Sequence, residues 1–261
     1  MRPKIYLFGD SITEGSFSNG GWGASLANHF ARKADVVLRG YSGYNTKWAL
    51  KVIHKVFPAA GDAPLAVTVF FGANDAALPD RDSGFQHVPL DEYKQNLLAI
   101  VAYFKKQWPS ARIILITPPP VDDNARLMYP FVEKPLGLPE RTNEAACQYA
   151  KQCLDVAAEC GLPAIPLCEK MQQLPDWKSL LRFSCLIIFS LPITATVPTL
   201  KNIHLPKCSD GLHLSQKGNK FVFEEVINLL AKEQISLEAL PADLPLISEI
   251  DPSDPLKSFG N

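Results

Sequence analysis

The sequence KIYLFGDSITEG occupies residues 4–15 and joins an apolar run to a group of small and polar residues. The run at residues 4–8 is short and aromatic, as is typical of a strand buried on both faces of a parallel sheet. Gly9, Asp10 and Ser11 follow it directly. Because open parallel sheets bind ligands beyond the carboxyl ends of their strands, this junction is the first place to expect a functional group.

Four further short runs share this pattern and alternate with longer segments of helical spacing. The runs are residues 35–38, 66–71, 112–117 and 163–167. The longer segments are residues 22–33, 45–57, 91–108 and 140–160, with a last one at about residues 218–232. Such alternation indicates a parallel sheet with helices on both faces. We therefore predict an α/β fold, a three-layer α/β/α sandwich around a five-stranded parallel sheet.

The composition is that of a globular protein with one large core. Of 261 residues, 47% are hydrophobic and 20% are charged. Lys and Arg total 26, Asp and Glu total 27, and no long run of either sign occurs. The sequence therefore lacks the basic patch that binds nucleic acids or anionic membranes, and we expect a small, roughly neutral substrate. It does not indicate an oligomeric state.

The two ends of the sequence and its cysteines bear on the cellular compartment, the domain limits and the state of the thiols. The apolar run near the start is too short for a secretory signal, which favours a cytoplasmic protein. Residues 236–261 are rich in proline and acidic side chains and are predicted to form an extended surface tail behind a domain at residues 1–235. The six cysteines show neither metal-binding nor redox spacing, so we interpret them as reduced thiols and expect no metal.

Chemically useful residues follow three of the predicted strands. The loops read GDSITE at residues 9–14, GYSGYNT at 40–46 and GAND at 72–75, and DGLH follows late in the chain at 210–213. Taken singly, a serine after Gly-Asp is often a helix cap, and an asparagine after glycine is often a turn residue. Together these loops would gather a nucleophile, hydrogen-bond donors and a carboxylate–histidine pair at one edge of the sheet.

These four blocks, in this order, resemble those of the GDSL or SGNH hydrolases, and the resemblance covers most of the chain. Within that family it is greatest to the isoamyl acetate-hydrolysing esterases and related GDSL esterase/lipases, through GYSGYNT, FFGAND and ITPPP. The resemblance implies the flavodoxin-like SGNH-hydrolase fold and a serine esterase for short- to medium-chain acyl esters, with acetate esters or lipids as candidate substrates. It implies no cofactor.

The resemblance also assigns roles to five residues. Ser11 would attack the ester carbonyl, while His213 would take its proton and return it to the leaving alcohol. Asp210 would orient the His213 ring. The backbone N–H groups of Ser11 and Gly43 and the side-chain amide of Asn74 would form the oxyanion hole. A side chain at Gly43 could block backbone approach to the oxyanion or forbid a positive φ, which is a physical reason for glycine there.

Signatures of other reactions are absent from the sequence. No G-x-S-x-G occurs, which argues against an α/β-hydrolase elbow. Neither a G-x-x-x-x-G-K-[ST] phosphate loop nor an H-E-x-x-H pair occurs. Thioesterases, lysophospholipases and carbohydrate deacetylases would use the same residues as an esterase, so the sequence leaves these substrates open.

One segment departs from the family pattern. About 25 extra residues, at about 182–208, precede the Asp-x-x-His block. They could form an apolar lid, arise from alternative splicing or a gene-model error that disturbs the His213 loop, or contact a membrane surface. Their apolar stretch is too short and too broken for a stable span. If the loop is disturbed, the chain would be a catalytically impaired or silent member that binds a ligand or partner.

Overall fold

Five parallel strands form one sheet in the computed structural model, which describes residues 2–58, 62–128, 136–181 and 210–259. The strands are β1 (Lys4–Gly9), β2 (Asp35–Gly40), β3 (Ala66–Phe70), β4 (Arg112–Ile116) and β5 (Ala164–Ile165). Their order across the sheet is β2-β1-β3-β4-β5. Strand β1 is therefore paired along both edges, with β2 on one side and β3 on the other.

Eight α-helices connect and cover the strands in the described ranges. They are α1 (Ser11–Glu14), α2 (Trp22–His29), α3 (Thr46–Val56), α4 (Leu90–Gln107), α5 (Asp123–Met128), α6 (Asn143–Cys160), α7 (Leu167–Gln172) and α8 (Gln216–Lys232). Short 3-10 turns lie at Gly15–Phe17, Gly84–Gln86, Trp177–Leu181, Ile247–Glu249 and Pro255–Phe259. At least one helix separates each strand from the next, as parallel pairing of consecutive strands requires.

The sheet is buried on both faces, because successive side chains of a strand point to opposite sides. In β1, Ile5 and Leu7 join a core cluster with α2 and α8. Phe8 packs on the other side, with α3, α4 and α6. Strands β3 and β4 contribute alternate residues to the same two clusters. The predicted three-layer α/β/α sandwich with a five-stranded parallel sheet is confirmed.

Two predicted helices have different ends in the structure. Helix α6 begins at Asn143 rather than at residue 140, because Thr142 caps it by accepting a hydrogen bond from the Ala145 N–H. The predicted helix at residues 22–33 ends at His29, since the chain turns beyond it and Arg32 has a positive φ of 68°.

The last strand and the short helices also differ from the prediction. Strand β5 covers only Ala164–Ile165 of the predicted residues 163–167, because Pro166 has no N–H to pair and precedes α7. The sequence does not predict α1, α5 or α7, which have four, six and six residues. Helices of one or two turns are too short to show a hydrophobic period.

Two glycines let the loop after β1 lie directly on the neighbouring strand ends. Gly9 pairs with Gly40 in the β1–β2 register. A side-chain carbon on Gly40 would lie 2.0 Å from the backbone nitrogen of Glu14, and one on Gly9 would lie 2.6 Å from the carbonyl oxygen of Phe70. Neither position has room for a side chain, so α1 can pack close against the carboxyl edge of the sheet.

The segment predicted to be an extended surface tail is attached to the domain at its start. Asp243 forms ion pairs with Arg2 at 3.1 Å and with Arg32 at 3.3 Å. Further on, Ile247 and Leu256 are 86% and 82% exposed. Each lies in a 3-10 turn, so this surface segment is not uniformly extended.

The insertion predicted at about residues 182–208 lies outside the described residues. Its interpretations as a lid, a splice or gene-model variant, or a membrane contact therefore stay predictions. Among the helices of the described ranges, none combines the length and apolarity needed to cross a membrane.

Candidate active site

Ser11 lies at the start of α1, directly after β1. Asp10 caps this helix by accepting a hydrogen bond from the Ile12 N–H at 2.9 Å. The Asp10 N–H donates to the carbonyl oxygen of Phe70 on β3, at 3.3 Å. The backbone around Ser11 is thus held by a helix cap and by the neighbouring strand, and Ser11 faces a pocket at the carboxyl edge of the sheet.

The structure brings Ser11 and His213 together although 202 positions separate them in the chain. The His213 Nε2 lies 2.8 Å from the Ser11 Oγ, which is hydrogen-bond distance. On the other side of the ring, Nδ1 is in hydrogen-bond contact with Asp210 Oδ2. With its proton on Nδ1, the ring donates to Asp210 and accepts the hydroxyl proton of Ser11, which is the arrangement that a general base requires.

Asp210 is surrounded by groups that favour its ionised form. Its Oδ1 accepts the Leu212 N–H at 3.0 Å and the His213 N–H at 2.9 Å. Burial alone would raise the pKa of this carboxyl, but the His213 side chain and the two backbone donors outweigh burial and hold the pKa well below its ordinary 3.8. An ionised Asp210 can fix the His213 tautomer and stabilise a positive charge on the ring.

The loop that carries Asp210 and His213 is held by residues at and just before α5. The Asp122 N–H donates to the Gly211 carbonyl at 2.9 Å, and Arg126 Nη1 donates to the Asp210 carbonyl at 2.8 Å. Gly211 has a φ of +70°, and a side-chain carbon there would lie 2.5 Å from the Asp122 carbonyl oxygen. Both the positive φ and the lack of space restrict this position to glycine.

Gly43 lines the same pocket as Ser11 and His213. Its φ is +79°, in the left-handed region, so the positive φ considered for this glycine is observed. Gln86 holds the turn by donating from Nε2 to the Gly43 carbonyl at 2.8 Å. The backbone of the GYSGYNT loop is thereby fixed at the pocket wall.

Asn74 presents its side-chain amide to the pocket and is held at both ends of that amide. Its Nδ2 donates to the Tyr44 carbonyl at 2.8 Å, and its Oδ1 accepts from Arg141 Nη2 at 3.0 Å. An amide nitrogen carries two hydrogens. Because the Tyr44 carbonyl takes one of them, the other can serve a substrate oxygen.

Arg141 is a buried residue of the site that the sequence interpretation missed. Besides Asn74, its guanidinium donates to the Ala73 carbonyl at 2.8 Å, to Gln86 Oε1 at 2.6 Å and to Glu140 Oε1 at 3.1 Å. Burial, and next the charge of Arg126, lowers the pKa of Arg141 to about 10. The sequence prediction began the helix at residue 140 and so placed Arg141 inside it. The available signal was Thr142, a helix-capping residue, which indicates that the helix begins after Arg141.

A buried acidic and basic network links Arg141 to the loop of His213. Glu140 pairs with both Arg141 and Arg126, and all three are at most 4% exposed. Arg126 in turn donates to the Asp210 carbonyl. The two guanidiniums share the Glu140 carboxylate, and Asp210 Oδ2 lies 3.8 Å from Arg126 Nη1, so ion pairing and hydrogen bonding offset part of the cost of burying these charges.

Two further carboxyls, Asp10 and Asp75, lie behind the pocket and are fully buried. Asp75 accepts hydrogen bonds from the backbone and the hydroxyl of Thr46, the first residue of α3. Burial raises the pKa of Asp10 to about 6 and that of Asp75 to about 7. One oxygen of each carboxyl has no hydrogen-bond partner among the described residues, so few donors stabilise its ionised form.

All five residues that the resemblance singled out line one pocket, with a volume of about 90 Å³. Its wall comprises Ser11, Ser42, Gly43, Asn74, Gln86, Arg126, Arg141, Asp210, Leu212 and His213. In the part of the chain that the structure describes, no group of three or more His, Cys, Asp or Glu side chains could hold a metal ion. The pocket gathers a serine, a histidine, a carboxylate and hydrogen-bond donors.

Comparisons with known proteins identify the family. The model of the GDSL-like Lipase/Acylhydrolase family matches residues 5–226. A GDSL esterase/lipase of Arabidopsis thaliana is 59% identical to this chain, over 99% of this chain and 98% of the relative. The human isoamyl acetate-hydrolyzing esterase 1 homolog is 39% identical, over 98% of this chain and 91% of the relative.

A solved structure has the same fold. The lipase/acylhydrolase from Enterococcus faecalis superposes with a TM-score of 0.65 at 25% identity and covers 94% of this chain and 100% of its own. Nothing in these comparisons supports the alternative of a catalytically silent member. The chain belongs to the GDSL-like lipase/acylhydrolase family and is a carboxylic ester hydrolase.

Proposed function

We propose that Ser11, His213 and Asp210 are the catalytic triad of an esterase that acts on short acyl esters, acetate esters above all. The observation that carries the proposal is the 2.8 Å separation of Ser11 Oγ and His213 Nε2, with Asp210 against the other ring nitrogen. A serine hydroxyl is a weak nucleophile near neutral pH, and a base within about 2.6 to 3.2 Å activates it.

In the first half of the reaction, the Ser11 oxygen attacks the ester carbonyl carbon. His213 Nε2 takes the hydroxyl proton as the new C–O bond forms, and the carbonyl oxygen becomes an oxyanion. The tetrahedral intermediate then collapses. The bond to the alcohol oxygen breaks, His213 returns the proton to the leaving alcohol, and the acyl group remains on Ser11.

In the second half, water replaces the alcohol and the same groups act in reverse. His213 takes a proton from the water, whose oxygen attacks the acyl carbon. Collapse of the second tetrahedral intermediate returns this proton to the Ser11 oxygen and releases the carboxylic acid. Asp210 stays ionised throughout and stabilises the imidazolium that forms in each half.

The oxyanion would be bound by the N–H groups of Ser11 and Gly43 and by Asn74 Nδ2. Support comes from the shared pocket, the positive φ of Gly43 and the two hydrogen bonds that fix the Asn74 amide. Donors that are already aimed need little reorganisation as the charge develops, which is why such groups contribute strongly to catalysis. Arg141 acts in this proposal only through Asn74, as a positioning residue.

Short acyl groups suit the pocket better than long ones. The described residues enclose about 90 Å³ beside Ser11, compared with roughly 300 to 1,000 Å³ for pockets that hold drug-sized ligands. Most of the residues that line it have polar side chains, including Gln86 and Arg141. The name of the human relative, an isoamyl acetate-hydrolyzing esterase 1 homolog, supports the same substrate class.

We assign this activity to a domain at residues 1–235, with the insertion at about 182–208 within it and residues 236–261 as a tail outside it. The match of the family model to residues 5–226 supports this division. Helix α8, which ends at Lys232, supplies the last long helix of the core.

The test is hydrolysis of p-nitrophenyl esters from acetate to laurate, and of isoamyl acetate, by the purified full chain. We expect the highest kcat/KM on acetate and a decline with acyl length. Ser11→Ala should lower kcat by about 10⁴-fold or more with the fold intact. Ser42→Ala is the matched control, because Ser42 lines the same pocket and should affect kcat by no more than about threefold.

Three outcomes would revise the proposal. Full activity of the Ser11→Ala protein would exclude Ser11 as the nucleophile. A preference for laurate would retain the triad and reject the short-acyl assignment. Activity that arises only after deletion of residues 182–208 would mean that the insertion blocks an otherwise competent site.

A further inference from the structure

A second pocket lies between α6 and α7 and shares no lining residue with the pocket at Ser11. Its volume is about 420 Å³. Cys147 from α6 and Cys168 from α7 both line it, beside Lys151 and Gln172. The proposed ester hydrolysis uses none of these residues.

The two thiols are in direct contact. Their sulfur atoms lie 2.8 Å apart, and Gln172 Oε1 lies 3.5 Å from the sulfur of Cys147 and 3.8 Å from that of Cys168. A disulfide has an S–S distance of about 2.05 Å. The N–H of Cys168 is held by the Thr117 hydroxyl at 3.2 Å. Two sulfurs this close need little backbone movement to form a bond.

We propose that Cys147 and Cys168 are a redox-active pair that closes to an intramolecular disulfide by reaction with a low-molecular-weight disulfide such as oxidised glutathione. The proposal is independent of the chemistry at Ser11. It replaces the interpretation of these two cysteines as reduced structural thiols. That interpretation rested on the absence of a redox spacing, whereas this pair is 21 positions apart and is brought together by the fold.

Cys147 is the thiol that reacts first. It is partly exposed, whereas Cys168 is 3% exposed. The hydrogen bond between the two thiols, against the effects of burial and of Asp123, lowers the pKa of Cys147 to about 7. The same contact raises the pKa of Cys168. Because the thiolate is the reactive form, Cys147 attacks and Cys168 resolves the intermediate.

The exchange balances without any other reactant. The Cys147 thiolate attacks one sulfur of oxidised glutathione, the glutathione S–S bond breaks, and one glutathione thiolate leaves and takes up a proton. Cys168 then loses its proton to solvent, attacks the Cys147 sulfur of the mixed disulfide and expels the second glutathione thiolate, which is protonated in turn. Two protein thiols are oxidised, and one small disulfide is reduced to two thiols.

The pocket offers this small disulfide access to the sulfur of Cys147. Lys151 lies one helical turn after Cys147 on α6, and Gln172 and Gln173 lie on the facing side. A lysine and two side-chain amides can bind the carboxylates and peptide groups of glutathione. By contrast, Cys153 is 1% exposed, and burial raises its pKa to about 12, so it should remain a thiol.

The bond would tie α6 to α7 and close a loop through β5. A cross-link of this kind restricts the unfolded chain and so raises stability. We expect oxidation to raise the Tm by roughly 5 °C or more.

The test compares the full chain after incubation with oxidised glutathione and after incubation with dithiothreitol. Free thiols are alkylated, the protein is digested, and the peptides that contain Cys147 and Cys168 are identified by mass spectrometry. We expect one cross-linked peptide pair in the oxidised sample, two alkylated peptides in the reduced sample, and the higher Tm in the oxidised sample. Cys147→Ser should abolish the cross-link and the Tm difference, while the control Cys160→Ser should retain both.

Either of two results would overturn the proposal: both thiols alkylated after oxidation, or either one bonded instead to Cys185, Cys208 or glutathione alone. Peptide mapping of the unsubstituted chain decides the matter even if a serine variant fails to fold. Ester hydrolysis by the same sample is measured separately, so failure of the disulfide and failure of the proposed esterase are distinguishable.

Discussion

The two loops that meet at the proposed catalytic centre are held in different ways. The nucleophile loop, residues 9–14, continues a strand that is paired on both edges. The Gly9 carbonyl accepts the Tyr41 N–H at 2.8 Å, and the Asp10 N–H donates to Phe70 on β3. Among the described residues, no strand leads into the base loop, residues 210–215. Arg126 and Asp122 hold its start, and Leu180 accepts the N–H of Ser215 at its end, at 2.8 Å.

This difference indicates which substitutions separate folding from activity. Backbone groups of a buried sheet must be paired, so the position of Ser11 follows from the formation of the sheet itself. The position of His213 depends on a few side chains and on one glycine of positive φ. We therefore expect substitutions around the base loop to lower activity by displacing His213 locally, with little effect on the global stability of the fold.

The largest effect on kcat is expected from loss of the contact between the two loops. His213→Ala should lower kcat by about 10⁴-fold or more, because the Ser11 hydroxyl then has no base. The double variant Ser11→Ala/His213→Ala should be no less active than either single variant, since residues that act as one unit are not additive. Steady-state kinetics on p-nitrophenyl acetate measures all three.

His54→Ala is the control for this comparison, because His54 is exposed on α3. It should retain full kcat. Additive losses in the double variant would show that the two loops contribute independently, contrary to the triad proposal.

The next largest effect is expected on the nucleophile side of the pocket. Asn74→Ala should lower kcat by about 10²- to 10³-fold and change KM little, because the proposed donor acts on the oxyanion and not on the bound ester. Arg141→Lys should reproduce part of this loss, since lysine cannot make the paired guanidinium contacts that hold Asn74. An Asn74→Ala protein with raised KM and normal kcat would contradict an oxyanion role.

A smaller effect is expected from displacement of the base loop. Gly211→Ala introduces a carbon 2.5 Å from the Asp122 carbonyl and should lower kcat by up to about 100-fold, because the imidazole shifts away from Ser11. Gly161→Ala is the matched control. Gly161 also has a positive φ, 62°, but no atom of the described residues beyond its chain neighbours lies within 4 Å of its added carbon. It should cost about 1 kcal/mol of stability and leave kcat unchanged.

The smallest effect on activity is expected from the carboxyls behind the nucleophile loop, whose expected effect is on the pH dependence of stability. The pKa of Asp75 is raised to about 7, so the folded protein binds a proton that the unfolded chain has lost above about pH 4. Its stabilising contribution is complete below pH 4 and is lost as the pH rises to about 7. Asp10, with a pKa of about 6, acts in the same direction. Asp210 acts in the opposite direction, because its pKa is lowered and its contribution is lost in acid.

Asp75→Asn should therefore flatten the decline of stability between about pH 4 and pH 7, by no more than about 4 kcal/mol, and leave a slope due to Asp10. Denaturant unfolding at a series of pH values measures this effect. Asp62→Asn, at an exposed site, is the control and should keep the slope of the unsubstituted chain. A stability that rises over this interval in the unsubstituted chain would contradict the raised pKa values.

Much of the sheet was predictable because its signals are local, whereas the pocket residues were predicted through the resemblance to the GDSL hydrolases. Short apolar runs rich in β-branched or aromatic residues and bounded by turn signals are typical of buried strands, and β1, β3 and β4 were found within a residue of their ends. Arg141 was missed for the opposite reason. Its importance comes from Asn74 and Gln86, which are 67 and 55 positions away, and no period along the chain reports such contacts.

By itself the sequence predicted the fold class, through hydrophobic periodicity. The resemblance of four short blocks to the GDSL hydrolases predicted five of the residues that line the pocket. Only the tertiary structure decided what holds those residues, namely Arg141 on Asn74 and Arg126 on the base loop. It also decided that Cys147 contacts Cys168. These are contacts between side chains distant in the chain, and packing establishes them only once the helices have docked on the sheet.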